Sequence, residues 1–343
     1  MDGTAPFVRV SGIPVRLHFS LLILVGLVAV SRRNALDDFF LVVGIFLCVF
    51  LHELGHALAA RHYGIQTLDI VLYFIGGVAR LDKQPAARQE LWIALAGPGM
   101  NVLLALTLFV VNRSVGGHPL VQGLIEANWM LAAFNLLPAF PLDGGRILRS
   151  LLSLKWTDLQ ATKMTSWSGR GVALLLSVWA IWQQQWLFLL VALFIFTSAR
   201  KEYYALKSSL LMRGAKVREA MMRNFATLTH GDSVRHAAET LLDSPQQEFP
   251  VLHGELVVGL LSREALMDSI ASDGPDAFVA SAMDRDFLCL DPADSLEENL
   301  NKLADNEYRA LVMDHGKLLG MVTQEKLNEF LVLRNLGLRR SMA

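Results

Sequence analysis

Long apolar runs dominate the N-terminal part of the chain, and they decide which solvent it folds in. A helix crossing a bilayer needs about 20 mostly apolar residues. Runs of this kind cover Leu17–Val30, Phe39–Ala60, Leu91–Val111, Val121–Phe140, Gly171–Trp182 and Trp186–Ala199. The last two are short and are separated by Gln183, Gln184 and Gln185. One helix through them would set three amides at mid-bilayer, which is costly. They therefore read as two helices joined by a tight turn, the first beginning a turn or two earlier. The first run carries no small-residue cleavage site and so reads as a span, not a signal peptide. Only 18% of the residues are charged, against about 25% in soluble domains.

The charges are also unevenly placed. Residues 216–343 hold 13 Lys and Arg against 21 Asp and Glu, a net of −8, which leaves 18 and 11 for residues 1–215, a net of +7. Two regions with different surroundings are expected, 1–215 in the membrane and 216–343 in water. With six spans and the N-terminus inside, thirteen basic residues fall in the cytoplasm, among them Arg61, Arg80, Arg146 and Arg200. Only Arg32, Arg33 and Arg113 fall outside. The positive-inside rule then puts both termini in the cytoplasm. Cys48 and Cys289 lie in different regions and imply no disulfide; Cys48 reads as a small packing residue.

The second run contains His52-Glu53-Leu54-Gly55-His56. Histidines four apart on a helix lie one turn apart on the same face. Neutral imidazoles so placed can share one Zn2+, with the intervening Glu53 as general base. Two histidines and a glutamate embedded in apolar sequence would be expensive in lipid without a task. A catalytic zinc takes three protein ligands and keeps one position open. The third candidate is Asp143, at the end of the fourth run and before Gly144-Gly145; an Asp-Gly turn is the competing reading. The second and fourth spans run in the same direction, so the three residues can meet at one depth. Counting about 1.5 Å per residue places them roughly 6–12 Å from the cytoplasmic end of the second helix. His18, His62, His118, His230, His236, His253 and His315 show no ligand spacing.

His52–His56, Gly97-Pro98-Gly99-Met100-Asn101 and Asn135–Gly145 together resemble the three signature motifs of the site-2 protease family. The resemblance covers residues 1–215. It implies a polytopic α-helical membrane protein of about six helices with one short β-hairpin, in a prokaryotic cell (inner) membrane. It implies one Zn2+ per chain on His52, His56 and Asp143, with Glu53 activating water to cut a membrane-anchored protein substrate. Asn101 and Asn135 would hold substrate or frame a water path; a helix–helix hydrogen bond is the bland alternative. Asp69–Asp82 reads as two short strands around Gly76-Gly77, whose edge could pair with an unwound substrate. An interfacial loop with no substrate role remains the other reading there.

Residues 216–343 contain an internal repeat. Val217–Met221 matches Val279–Met283, Gly231–Val234 matches Ala293–Leu296, and His253–Ser262 matches His315–Thr323. Apolar strands around glycine turns alternate with helical stretches. The repeats, about 217–270 and 279–333, resemble a tandem pair of cystathionine-β-synthase (CBS) domains, an α/β module. The resemblance implies regulation, homodimerisation through the pair, and adenine nucleotide as a ligand. An Asp three residues after the Ser or Thr commonly holds the ribose in that family. Here Ala265 follows Ser262 and Lys326 follows Thr323, and the net −8 attracts no phosphate, so both features count against a nucleotide. Nothing points to nucleic acid as a partner. A transporter with a CBS pair would need polar residues lining a path and related transmembrane halves. Here the polar residues cluster at one end. An inactive relative is the other rival.

Overall fold

The computed structural model describes residues 4–20, 35–73, 76–114 and 116–337. Contacts divide the chain into two compact units, Met1–Leu206 and Lys207–Ala343.

In the first unit, a long helix α1 (Ala35–His62) carries the His-Glu-Leu-Gly-His motif. It is followed by β3 (Thr67–Tyr73) and β4 (Gly76–Leu81), then α2 (Ala87–Ser114) and α3 (Pro119–Asn135). A short α4 (Asp143–Leu152) leads to α5 (Asp158–Trp182) and α6 (Trp186–Met212). Glycines let the first three helices approach closely, as small residues do between membrane helices. A Cβ on Gly55 would lie 2.9 Å from the Ala96 carbonyl of α2, and one on Gly44 would lie 2.8 Å from Leu124 of α3.

The expected hairpin is present but is half of a larger sheet. β1 (Thr4–Val10) and β2 (Ile13–His18) pair antiparallel, and β2 runs parallel to β3, giving the order β1-β2-β3-β4. Ile13, Val15, Ile70 and Leu72 bury one face of it against Val49 and Ala57 of α1. The first expected span thus cannot start at Leu17, which pairs with Leu72 in the sheet. The rest of that run, with Arg32 and Arg33, lies outside the described residues, as do Phe74 and Ile75.

Two further boundaries differ from the sequence reading. The fourth run does not stay helical to Phe140: α3 stops at Asn135, because Pro138 and Pro141 lack the N–H that helix continuation requires. The three glutamines do separate two helices, Gln183 capping α5 and Gln184 taking φ 56°. Both helices outrun the apolar stretches, α5 starting at Asp158 and α6 ending at Met212. Among the described residues, two helices, Asp37–His62 and Ala87–Ser114, are long and apolar enough to cross a membrane. α3 has 17 residues, about 26 Å at 1.5 Å per residue, a little short of a hydrocarbon core of about 30 Å.

The second unit holds two three-stranded sheets, one per repeat. The first repeat contributes β5 (Leu228–Thr229), α8 (Val234–Leu242), β6 (Glu248–His253), β7 (Leu256–Ser262) and α9 (Arg263–Ser272). The second contributes β8 (Leu288–Leu290), α11 (Leu300–Asp305), β9 (Ala310–Asp314), β10 (Lys317–Val322) and α12 (Gln324–Asn335). Their opening segments are exchanged. Helix α7 (Val217–Ala220), which opens the first repeat, packs into the second core with Leu290, Leu303 and Val322. Helix α10 (Val279–Ala282), which opens the second, places Val279 in the first core. Backbone pairs Met222–Met321 and Asp284–Leu260 close the exchange.

Candidate metal centre

His52 and His56 face inward from the C-terminal part of α1, and Asp143 begins α4 after an irregular turn. Their atoms converge. His52 Nε2 lies 3.1 Å and His56 Nε2 lies 3.2 Å from the same oxygen, Asp143 Oδ2, and the two Nε2 atoms are 3.1 Å apart. The rings stand edge to face, 86° between planes. His56 Nδ1–H donates to the Ile93 carbonyl at 2.7 Å, which leaves the Nε2 lone pair pointing into the cluster. His52 Nδ1 is buried without a hydrogen-bond partner among the described residues, so the three converging atoms can be bridged by a proton on His52 Nε2 or by one cation. Bond lengths of about 2.0–2.2 Å around a tetrahedral Zn2+ separate ligand atoms by roughly 3.3 Å, close to the spacing here. This donor set, two imidazoles and a carboxylate, suits that ion.

Three local features set this arrangement. Gly97 of α2 lies against both rings: a Cβ there would fall 2.2 Å from His56 Nε2 and 2.7 Å from His52 Nε2. Gly144 and Gly145 let the chain turn tightly into α4, since a Cβ on Gly144 would meet the Leu136 and Leu137 carbonyls at 2.3 Å. The third is Glu90 at the start of α2, buried and bound by two residues of α4. Arg149 Nε donates to its Oε2 at 3.1 Å, and Ser150 Oγ donates to the same oxygen at 3.0 Å. This clamp ties the Asp143 helix to α2. Breaking such a buried pair from one side typically costs about 3–5 kcal/mol. Sequence reasoning missed it because the partners lie 59 and 60 residues apart.

Glu53, beside the cluster, reaches the sheet. The Ala79 N–H of β4 donates to its Oε2 at 3.1 Å, and a Cβ on Gly77 would strike its Cγ at 2.5 Å. β4 is the last strand of the sheet among the described residues, and its Ala79 N–H is directed at Glu53 rather than at a fifth strand. Gly76 begins that strand with φ 152°, a backbone shape that favours glycine. Asn101, one turn beyond Gly97 on the same face of α2, is fully buried, and neither amide atom has a hydrogen-bond partner among the described residues. Burial without a partner costs about 1–3 kcal/mol per group. Asn135 ends α3, half-buried, outside the three-residue cluster. Cys48 is not purely a packing residue: its Sγ accepts from Asn128 Nδ2 at 3.1 Å.

The C-terminal unit has a cleft of about 420 Å³ between its repeats, lined by Glu248, Glu264, Glu307 and Glu325, with Arg263 and Arg309. The hydroxyls of Ser262 and Thr323 cap α9 and α12, accepting from Ala265 and Lys326 N–H. Burial, reinforced by Glu307 and Glu325, pushes the Glu248 carboxyl up to about 7. Arg309, 3.7 Å from Glu248 and also holding Glu307 at 2.8 Å, is the main opposing influence but does not outweigh burial. The folded state thus binds a proton that the unfolded chain releases near the ordinary carboxylate value. Stability conferred by the protonated group is present in acid and lost as pH rises through 7. The melting temperature of the C-terminal unit within the full chain should therefore fall as pH rises from about 4.5 to 7 and level off above that. Glu248→Gln should flatten that slope; an unchanged slope would count against it.

Comparisons with known proteins agree with these observations. The model of peptidase family M50 matches residues 40–128 and 115–178, and that of the CBS domain matches 217–272 and 279–333. A zinc metalloprotease of Methanocaldococcus jannaschii is 31% identical over 330 residues, covering 94% of this chain and 95% of the relative. The zinc metalloprotease Rip3 of Mycobacterium tuberculosis is 27% identical over 364 residues, 94% of this chain and 91% of that protein. A solved site-2 protease from M. jannaschii superimposes with a TM-score of 0.48 at 35% identity, over 58% of this chain and 95% of its own. The chain thus belongs to peptidase family M50, the site-2 protease family of zinc metalloproteases, and carries a tandem pair of CBS domains.

Proposed function

We propose that residues 1–215 form an intramembrane endopeptidase that cuts membrane-anchored proteins, and that residues 216–343 regulate it. The observation that carries this reading is the convergence of His52, His56 and Asp143 beside Glu53 and an open strand edge. His52, His56 and Asp143 would hold one Zn2+, which, when bound, acidifies water and polarises a peptide carbonyl. Glu53 would accept the proton from that water and deliver it to the departing amine. A helical substrate hides its carbonyls in hydrogen bonds and must unwind first. An extended segment added to the edge of β4 would lie next to Glu53, replacing the Ala79 contact. Gly76 and Gly77 keep that edge free of side chains, and Asn101 and Asn135 would line the approach.

Six spans, both termini in the cytoplasm and a prokaryotic cell membrane fit the basic residues counted above. Large apolar side chains at the α5–α6 turn support it: Trp182 is 78% and Trp186 66% exposed, as in the aromatic belts of membrane interfaces. For the CBS pair, four carboxylates against two guanidinium groups disfavour the phosphates of a nucleotide. Regulation through another ligand or through homodimerisation is the reading we adopt.

Metal analysis tests the centre. Purified protein should carry close to one zinc per chain, and His52→Ala and His56→Ala should lose it while His62→Ala keeps it. Zinc retained in the first two would sink the assignment. A membrane-proteome comparison of cells with active and inactive protein would then name the substrate.

A further inference from the structure

The first CBS repeat contains a second pair of histidines whose geometry repeats that of the candidate catalytic pair. His230 follows β5 and His253 ends β6, 23 residues apart, a spacing with no meaning along one helix or strand. Parallel pairing of Thr229 with Leu252 makes them neighbours across the sheet. The His230 N–H donates to the Leu252 carbonyl at 2.9 Å, and Gly254, with φ 64°, turns the chain directly after His253. Their Nδ1 atoms are 3.1 Å apart, with ring planes at 86°. For His52 and His56 the values are 3.1 Å between Nε2 atoms and 86°.

Two rings that aim one nitrogen each at a common point can share either a proton or a metal ion. The spacing suits the cation: donors around one tetrahedral ion lie roughly 3.3 Å apart, and both rings are exposed, so water can complete the coordination. The second repeat has no such arrangement: Pro292 occupies the position matching His230, and His315, matching His253, is 96% exposed beside Asp314.

We infer that His230 and His253 form a transition-metal site, for an ion such as Zn2+ or Cu2+ that favours imidazole, distinct from the catalytic centre. Two protein nitrogens leave positions open for water or a carboxylate, so the site is exchangeable. It would fasten the end of β5 to the β6–β7 turn in the first repeat alone, giving the pair an input that nucleotide chemistry does not require.

The test uses the full-length protein, free of any histidine tag and already loaded with one zinc. Titration with Cu2+ and with Zn2+ should reveal one additional equivalent, tighter for Cu2+ as imidazole sites generally are. His230→Ala and His253→Ala should each abolish it and keep the first zinc; His315→Ala should leave both. Electron paramagnetic resonance of the added Cu2+ in wild-type protein should show coupling to two imidazole nitrogens. That readout stands even if an alanine variant fails to fold. No second equivalent, its persistence in either alanine variant, or a Cu2+ spectrum without imidazole coupling would each overturn the site, leaving an Nδ1–H···Nδ1 hydrogen bond only.

Discussion

Glu53→Gln should leave zinc bound and bring cleavage of a co-expressed membrane substrate to background. The two halves of this expectation have separate causes. Glu53 donates no atom to the three-residue cluster, so the histidines and Asp143 keep their geometry. The glutamine carbonyl can still accept the Ala79 N–H that Glu53 accepts at 3.1 Å, so α1 and β4 stay joined. An amide cannot take a proton from water near neutral pH, and positioned general bases typically contribute about 10²–10⁴-fold. Cleavage at wild-type rate, with zinc content unchanged, would remove Glu53 from the mechanism. Loss of zinc in this variant would instead show that Glu53 supports the metal.

The second large effect lies on the facing helix. Gly97→Ala should lower zinc affinity by at least about 100-fold, at the upper end of what changes around metal ligands produce. The added methyl would sit 2.2 Å from His56 Nε2 and 2.7 Å from His52 Nε2. Those atoms are the would-be ligands themselves, so neither can yield without leaving the cluster. Gly99→Ala is the matched control. Nothing lies within 4 Å of a Cβ there, and alanine in a helix is favoured over glycine by roughly 0.5–1 kcal/mol. Gly99→Ala should thus keep its zinc and gain slightly in stability. Equal zinc content in both variants would mean that α2 does not pack on the histidines.

The two predictions differ in what made them visible. Glu53 was legible because a helix repeats locally: His52, Glu53 and His56 occupy related faces whatever the rest of the chain does. Gly97 belonged to a motif, but its reason, the backbone of α2 pressed against two imidazoles, exists only once α1 and α2 are packed. Asp143 falls between these cases. Its position at the end of an apolar run and before two glycines was suggestive. Its distance to the histidines depended on a break at Pro138 and Pro141 and on the Glu90–Arg149 clamp.

What the sequence determined by itself were features with a local period. These are the apolar runs, the i, i+4 histidines, the glutamine break between α5 and α6, and a repeat at a nearly constant offset. Features built from pairings between distant segments were beyond it. β2 joins β3 in parallel across more than 50 residues, which no turn announces, and this converts a hairpin into a four-stranded sheet. The CBS repeats exchange their opening helices, so each hydrophobic core draws on both copies. His230 and His253 meet through a strand register, not through spacing. Short-range periodicity is written in the chain because helices and strands repeat every few residues. Long-range contact is decided by which apolar faces can be buried together, and only the tertiary structure records that choice.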